Sequence, residues 1–412
     1  MITLRVAACD LNQFPEPEKL CLSNYHMDYT QSHQQLKAYF KPGTVQTEFP
    51  GSGISCDWIS FESENISVLA EERDHTFHKK TVLNFSSDEA IHENRTFSYP
   101  VFKSSNPSKN RQAIILLHGL NERSWSKYMI WAHYLTLHTG RPVILFPIAF
   151  HMNRSPEAWG NPRVMSSILE ARKLRLGEVP MSSFANVALS ERLCEDPLRF
   201  FTSGQQSAAD LVQLTTQLSS GDHPLFEKGT TVDLFAYSIG AFLAQILLLG
   251  NPGGLYSNSR LFLFCGGAFF DQMDGVSKLI MDQQAFDRLR QFYINELNSE
   301  MDHSEILKNS MNKTEMGQSF LAMLSVNNLK AFREDVFQKL KHRIQAVTLL
   351  RDKVIPATGI LQAMNRFVNV EVMDFPYAYS HENPFPLMSG TDSLLVDKSF
   401  KKVFSKAAQF LH

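Results

Sequence analysis

Three residues of this chain carry chemistry that none performs alone. They are Ser238 in Ala236-Tyr237-Ser238-Ile239-Gly240, Asp352 in Leu349-Leu350-Arg351-Asp352-Lys353-Val354-Ile355-Pro356, and His381 in Tyr379-Ser380-His381-Glu382-Asn383. A serine hydroxyl is a weak nucleophile near neutral pH and attacks a carbonyl only when an adjacent base takes its proton. An imidazole titrates in the right range for that task. A carboxylate on its far nitrogen fixes the tautomer and stabilises the imidazolium that forms. The chemistry of such a set is acyl transfer through a covalent intermediate, which needs no metal and no cofactor, and none is expected.

Each of the three needs an element that holds it. Val232-Asp233-Leu234-Phe235 reads as a buried strand and Ala241-Phe242-Leu243-Ala244-Gln245-Ile246-Leu247 as a helix, so Ser238 sits at the tip of a strand-to-helix turn. Such a turn is tight, and the residues two before and two after the serine must be small; Ala236 and Gly240 are. The hydroxyl then lies at a helix N-terminus, where free N–H groups favour a developing negative charge. This is the layout of a nucleophile elbow, although a strand-helix turn of this composition also occurs with a purely structural role.

Three further segments stand in a telling order. Ala113-Ile114-Ile115-Leu116-Leu117 is a short apolar run ending in His118-Gly119-Leu120-Asn121. Ala346-Val347-Thr348-Leu349-Leu350 stops just before Asp352. Val368-Asn369-Val370-Glu371-Val372-Met373-Asp374-Phe375 alternates as a strand and leads into the loop with His381. A lone loop histidine is otherwise an ordinary surface or hydrogen-bonded residue. Together with the elbow, and in the order Ser238, Asp352, His381, these segments resemble the α/β-hydrolase superfamily. The resemblance implies an α/β-hydrolase fold, with a mostly parallel central sheet, helices on both faces and an inserted helical lid. It implies a serine hydrolase acting on a carboxylic ester or related acyl bond, and the same triad could instead cleave an amide or thioester or pass the acyl group to another acceptor. The backbone N–H groups of Leu120 and Ile239 would form the oxyanion hole, His118 would be architectural, and Asp352 would be the triad acid. Some members carry the acid one strand earlier, where Leu261-Phe262-Leu263-Phe264 leads to Asp271, so Asp271 is the rival. Two departures are Ala236 in place of the commoner glycine and a long gap between oxyanion loop and elbow.

The remaining chain is read around this frame. Residues 1–75 form an N-terminal extension with little periodicity, broken by Pro15, Pro17, Pro42, Pro50 and Gly51-Ser52-Gly53. Residues 76–271 and 342–412 form the hydrolase core, opened by an antiparallel strand pair at Thr81–Phe85 and Thr96–Phe102. From Ala113 strands and helices alternate, as a parallel sheet requires. Pro142 to Pro147 is a strand, Ser207 to Leu218 a helix with Leu211, Leu214 and Leu218 on one face. His151 to Arg199 is an insertion near the site rim with helical pieces marked by Met165, Ile168, Leu169 and Leu174. Residues 272–341 form the helical lid, with Phe286, Leu289, Tyr293 and Leu297 on one face and Phe332, Val336 and Leu340 on another. The bland alternative is that these helices only dock on the core or a second subunit. Asn121, His151, Arg154 and Tyr237 are the candidate pocket residues. Arg154 either binds a substrate carboxylate or phosphate or pairs with Glu122 or Glu157, and Asn121, Glu122 and Arg123 otherwise read as scaffold.

Composition limits the other classes. The 412 residues are 43% hydrophobic and 20% charged, enough for a large core, and the formal net charge of −2 supplies no basic field for nucleic acid or an anionic membrane. The partner expected is a small-molecule acyl substrate, with no nucleic acid and no membrane span; self-association into a homo-oligomer is open. Five scattered cysteines (Cys9, Cys21, Cys56, Cys194, Cys265) lack metal-ligand spacing, and at least two sit in apolar contexts that suggest reduced core thiols. With no secretory signal pattern at Met1 to Asp10, a cytoplasmic location is the expectation. A ligand-binding module on the same fold is the rival class, since fold alone does not confer activity.

Overall fold

A computed structural model of the chain describes residues 28–43, 45–64, 87–106, 110–387 and 390–412. The strands are β1 Gln46–Phe49, β2 Ile54–Glu62, β3 Thr96–Ser104, β4 Asn110–Leu117, β5 Val143–Leu145, β6 Phe226–Tyr237, β7 Leu261–Phe264, β8 Ile344–Leu349 and β9 Asn369–Met373. They form one nine-stranded sheet in the order β1-β2-β3-β5-β4-β6-β7-β8-β9. β1, β2, β3 and β5 pair antiparallel, and from β5 through β4 to β9 every pairing is parallel. The exchange of β4 and β5 between β3 and β6, followed by consecutive parallel strands, is the strand order of the α/β-hydrolase fold, with β1 added at one edge.

The central strands are apolar on both faces because helices cover both. Alternation divides them cleanly. Ile115, Leu117, Leu234, Ala236, Leu261, Leu263 and Ala346 face one core, roofed by the helices Arg199–Ser220 and Ile239–Gly250. Ile114, Leu116, Phe235, Tyr237, Phe262, Phe264 and Val347 face the other, closed by Ser126–Thr139 and the terminal helix Ser393–Leu411. Trp131, Phe385, Phe400 and Phe404 are buried there in edge-on and stacked ring contacts. Each such side chain contributes roughly 1.5–3 kcal/mol by leaving water.

The first strands depart from the sequence reading. Residues 46–62, assigned above to an unpatterned extension, supply β1 and β2 of the sheet, and Gly51-Ser52-Gly53 is their hairpin turn. The helix Tyr29–Tyr39 docks on the second core, where the Tyr29 ring lies 4.4 Å from that of Phe400. The sheet therefore begins well before residue 76. The strand expected at Thr81–Phe85 lies outside the described residues, as do Cys9 and Cys21. The last strand is an edge strand with an only partly buried face, so its alternation in sequence overstates its burial.

Between His151 and Arg199 the helices Pro162–Leu176 and Val187–Glu195 form; Met165 is buried but Leu174 stands 90% exposed, outside the apolar stripe expected of it. Between Asp271 and Lys341 the chain is helical, as expected. Phe286, Leu289, Tyr293 and Leu297 are buried, whereas on Lys330–Leu340 the inward face carries Arg333, Phe337 and Leu340 instead of Phe332 and Val336. Arg333 is drawn inside because its guanidinium donates to the carbonyls of Ala322, Ser325, Val326 and Asn328, which a pattern of apolar residues does not foretell.

Candidate active site

β6 ends at Tyr237 and the helix Ile239–Gly250 begins one residue beyond Ser238, leaving Ser238 to make the whole turn at φ 58°, ψ −124°. A non-glycine residue at positive φ is costly and persists only where its surroundings hold it. Here close packing does so. A Cβ on Gly240 would come within 2.8 Å of the His118 carbonyl oxygen and of Leu117, and one on Gly266 would meet the Ala241 Cβ at 2.4 Å and the Ser238 oxygen at 3.0 Å. The elbow is thus clamped between the ends of β4 and β7 by glycines that no larger residue replaces.

Ser238 Oγ lies 2.7 Å from His381 Nε2, and His381 Nδ1 lies 2.7 Å from Asp352 Oδ2. All three residues are buried, with Ser238 4%, Asp352 5% and His381 3% exposed. The other oxygen of Asp352 accepts from the N–H groups of Val354 and Ile355, both at 2.9 Å. These bonds fix the carboxylate so that Oδ2 faces the imidazole, which then holds its proton on Nδ1 and turns an unprotonated Nε2 to the serine. Asp271, the rival acid, sits in the loop after β7 and is not a partner of His381. It is partly exposed, its Oδ1 has no hydrogen-bond partner, and burial raises its pKa above the ordinary carboxylate value.

Near Ser238 the N–H groups of Leu120 and Ile239 donate to no group among the described residues. His118 is buried beneath that loop. Its Nδ1–H donates to the Gly119 carbonyl at 2.8 Å and its Nε2 accepts from the Ile148 N–H at 2.9 Å, so it ties the loop to the chain after β5. Burial, and then the neighbouring His151, keep its pKa well below the usual imidazole value, so it is neutral.

Two cavities meet at Leu120. One holds about 670 Å³ including its open mouth, and its wall is apolar: Ile148, Phe200, Phe242, Ile246, Met316 and Phe320 with Leu120 and Ile239. The other holds about 810 Å³ including its mouth; Trp159, Met165, Phe184, Leu279 and Ile280 give it apolar surface too, and its polar groups come from Asn121, Glu122, Arg123, Ser124, Asn161 and Glu382.

The four pocket candidates fall in different places. His151 is on the apolar wall; its Nδ1 bonds to the Ala149 carbonyl, its Nε2 has no hydrogen-bond partner, and burial, then the charge of Arg123, lower its pKa to about 3. Asn121 lines the second cavity, and its amide N–H groups are spent on the carbonyls of Ala185 and Leu279. Arg154 lines neither cavity: it is fully buried in an ion pair with Asp210 of the helix Arg199–Ser220 at 2.7 Å, and also donates to the carbonyls of Pro147 and Asn94. A buried guanidinium requires a carboxylate in contact, and Asp210, more than fifty residues downstream, provides it where Glu122 or Glu157 had been expected. Tyr237 points away from the cavities into the second core, where its ring stacks 5.5 Å from the His381 ring and its hydroxyl donates to the His381 carbonyl.

Sequence reasoning missed Lys127 and its partners. Lys127 Nζ binds the Glu122 carboxylate and donates to the Glu382 carbonyl at 2.9 Å, and lies 4.7 Å from the Tyr237 ring centroid. The Tyr128 hydroxyl donates to Glu122 at 2.9 Å and accepts from the Gly119 N–H at 3.0 Å. One cation and two phenols thereby connect the Gly119-Leu120 loop to the His381 loop. The only sequence signal is their spacing on the first turn of a helix that follows the His-Gly motif.

Among the described residues no helix is long and apolar enough to cross a membrane, and no three His, Cys, Asp or Glu side chains are grouped to hold a metal ion.

Sequence comparison with curated proteins gives no significant match. Among solved structures the chain is similar to a cold-adapted esterase from an Arctic intertidal metagenomic library (9% identity, covering 87% of this chain and 93% of that one, TM-score 0.37). It is similar to carboxyl esterase 2 of Tuber melanosporum (10% identity, 77% and 82% covered, TM-score 0.41) and to the peroxisomal alpha-beta-hydrolase Lpx1 of Saccharomyces cerevisiae (14%, 87% and 89%, TM-score 0.37). These likenesses say nothing of this chain's substrate. A family model of unknown function, DUF6051, matches residues 27–412. The strand order above is that of the α/β hydrolases, and the chain belongs to the DUF6051 family.

Proposed function

We propose that the protein is a serine hydrolase that cleaves carboxylic esters by way of an acyl-enzyme. What carries this reading is the unbroken hydrogen-bonded series Asp352–His381–Ser238, each step 2.7 Å, beside two unclaimed N–H groups. His381 Nε2 accepts the Ser238 proton as Oγ bonds to the ester carbonyl carbon. The carbonyl π pair moves to oxygen, and the N–H groups of Leu120 and Ile239 stabilise that oxyanion. Collapse breaks the carbon–oxygen bond to the leaving group, which takes the proton from His381. A water then repeats the sequence, losing a proton to His381, releasing the carboxylic acid and returning the proton to Ser238. Removing one oxyanion donor typically costs about 10²–10³-fold in rate, and general-base assistance contributes about 10²–10⁴-fold.

The apolar cavity holds the acyl chain in this reading. Met316, Gly317 and Phe320 come from the helical segment between β7 and β8, which supports its role as a cap over the acyl site. Hydrolysis of a 4-nitrophenyl ester series from two to twelve acyl carbons, by the native chain and by Ser238→Ala, tests the proposal. Turnover with a chain-length optimum, lost in the variant, is expected; hydrolysis that survives Ser238→Ala would exclude it.

A further inference from the structure

The second cavity contains an arginine with no carboxylate partner among the described residues. Arg123 donates to two neutral acceptors, the Phe150 carbonyl at 3.3 Å and Asn121 Oδ1 at 3.0 Å, and its guanidinium lies 5.4 Å from the Trp159 ring centroid. Its Nε is buried without a hydrogen-bond partner, and no carboxylate pairs with it among the described residues. Its neighbours behave otherwise: Arg154 meets Asp210, Arg172 meets Asp282 and Glu191, and Arg192 meets Asp88. A cation withdrawn from water without an anion is costly. The strain registers in the group itself: burial, and then the nearby Arg192, pull its pKa down to about 10. The two carboxylates on the same wall are engaged elsewhere, Glu122 with Lys127 and the Tyr128 hydroxyl, Glu382 with the Ser277 hydroxyl.

Position gives this arginine a role. Leu120 lines both cavities, while Ile239, next to Ser238, lines the apolar one and Glu382, next to His381, lines the second, so the two cavities flank the Ser238–His381 pair. We propose that the second cavity is a leaving-group subsite in which Arg123 receives a carboxylate-like oxyanion carried by the alcohol part of the substrate. This rests on the ester-hydrolase reading above. The preferred substrates are then esters with an apolar acyl chain and an anionic alcohol. The Arg123 guanidinium is planar, keeps free N–H donors and is braced by Trp159, which suits it to the two oxygens of one carboxylate.

The test is equilibrium binding to Ser238→Ala, which retains an intact ester, measured calorimetrically with 3-carboxyphenyl butanoate and phenyl butanoate. The carboxylate ester is expected to bind roughly tenfold to a hundredfold more tightly. Adding Arg123→Gln should erase that preference, and adding Arg123→Lys should keep part of it, while binding of phenyl butanoate reports that each variant is folded. Equal affinity for the two esters, a preference that survives Arg123→Gln, or no binding of the carboxylate ester overturns the subsite. Turnover of phenyl butanoate by the native chain decides the hydrolase reading separately. Turnover without carboxylate preference sinks the subsite alone; preference without turnover sinks the hydrolase reading and the leaving-group role with it, and leaves Arg123 as an anion site only.

Discussion

Replacing Asp352 by asparagine should disable His381 without disturbing the fold, and the geometry says how. Asp352 Oδ1 accepts two backbone N–H bonds, from Val354 and Ile355, while Oδ2 faces His381 Nδ1. An asparagine has one acceptor and one donor end. Turning its NH2 toward the two backbone donors would strand buried groups at about 1–3 kcal/mol each, so the carbonyl end stays there and the NH2 faces the imidazole. His381 Nδ1 must then accept, its proton moves to Nε2, and that nitrogen, 2.7 Å from Ser238 Oγ, can no longer take the serine proton. The same tautomer inversion in a serine protease triad costs about 10⁴-fold in kcat, or about 5 kcal/mol of barrier. Initial rates on 4-nitrophenyl butanoate near pH 7, with a thermal melt to verify folding, measure it for Asp352→Asn beside Asp271→Asn. A folded Asp352→Asn protein within tenfold of native activity, or an equal loss from Asp271→Asn, would refute the reasoning.

Lys127→Met should release the tie between the Gly119-Leu120 and His381 loops and lower kcat roughly tenfold or more with little change in KM, and Lys127→Arg should recover part of it. Full steady-state curves separate the two constants. Gly240→Ala drives a Cβ to 2.8 Å from the His118 carbonyl oxygen and should cost about 1–3 kcal/mol, read as a lower midpoint in thermal unfolding. Phe320→Ala opens the apolar wall and should move the optimum of the ester series toward longer acyl chains, read as kcat/KM against carbon number.

The parts of this molecule that a reader of the sequence finds are those with a local signature. The elbow is legible because a strand, a serine and a helix occupy sixteen consecutive residues, Val232 to Leu247, with small residues at fixed offsets. The loops that carry Leu120, Asp352 and His381 each follow an apolar run, and Leu211, Leu214 and Leu218 are buried as their spacing implies. Pairings between distant residues leave no such mark. Arg154 could not be matched to Asp210 from sequence, nor Lys127 to the carbonyl of Glu382, because only the folded chain brings those elements together. The same holds for Arg123, which stands apart only once the carboxylates around it are seen to serve other groups. The hairpin of β1 and β2 was hidden by its own turn: Gly51-Ser52-Gly53 breaks a helix but joins two short strands, and the strand that pairs with β2 is over thirty residues away.

The central claim is that Ser238 is a nucleophile activated by His381. Incubation with a fluorophosphonate, followed by intact mass measurement, tests it most directly. One adduct on the native chain, absent from Ser238→Ala and formed far more slowly by His381→Ala, is the result expected. A native, folded chain that gains no adduct, or an adduct that persists in Ser238→Ala, would contradict it.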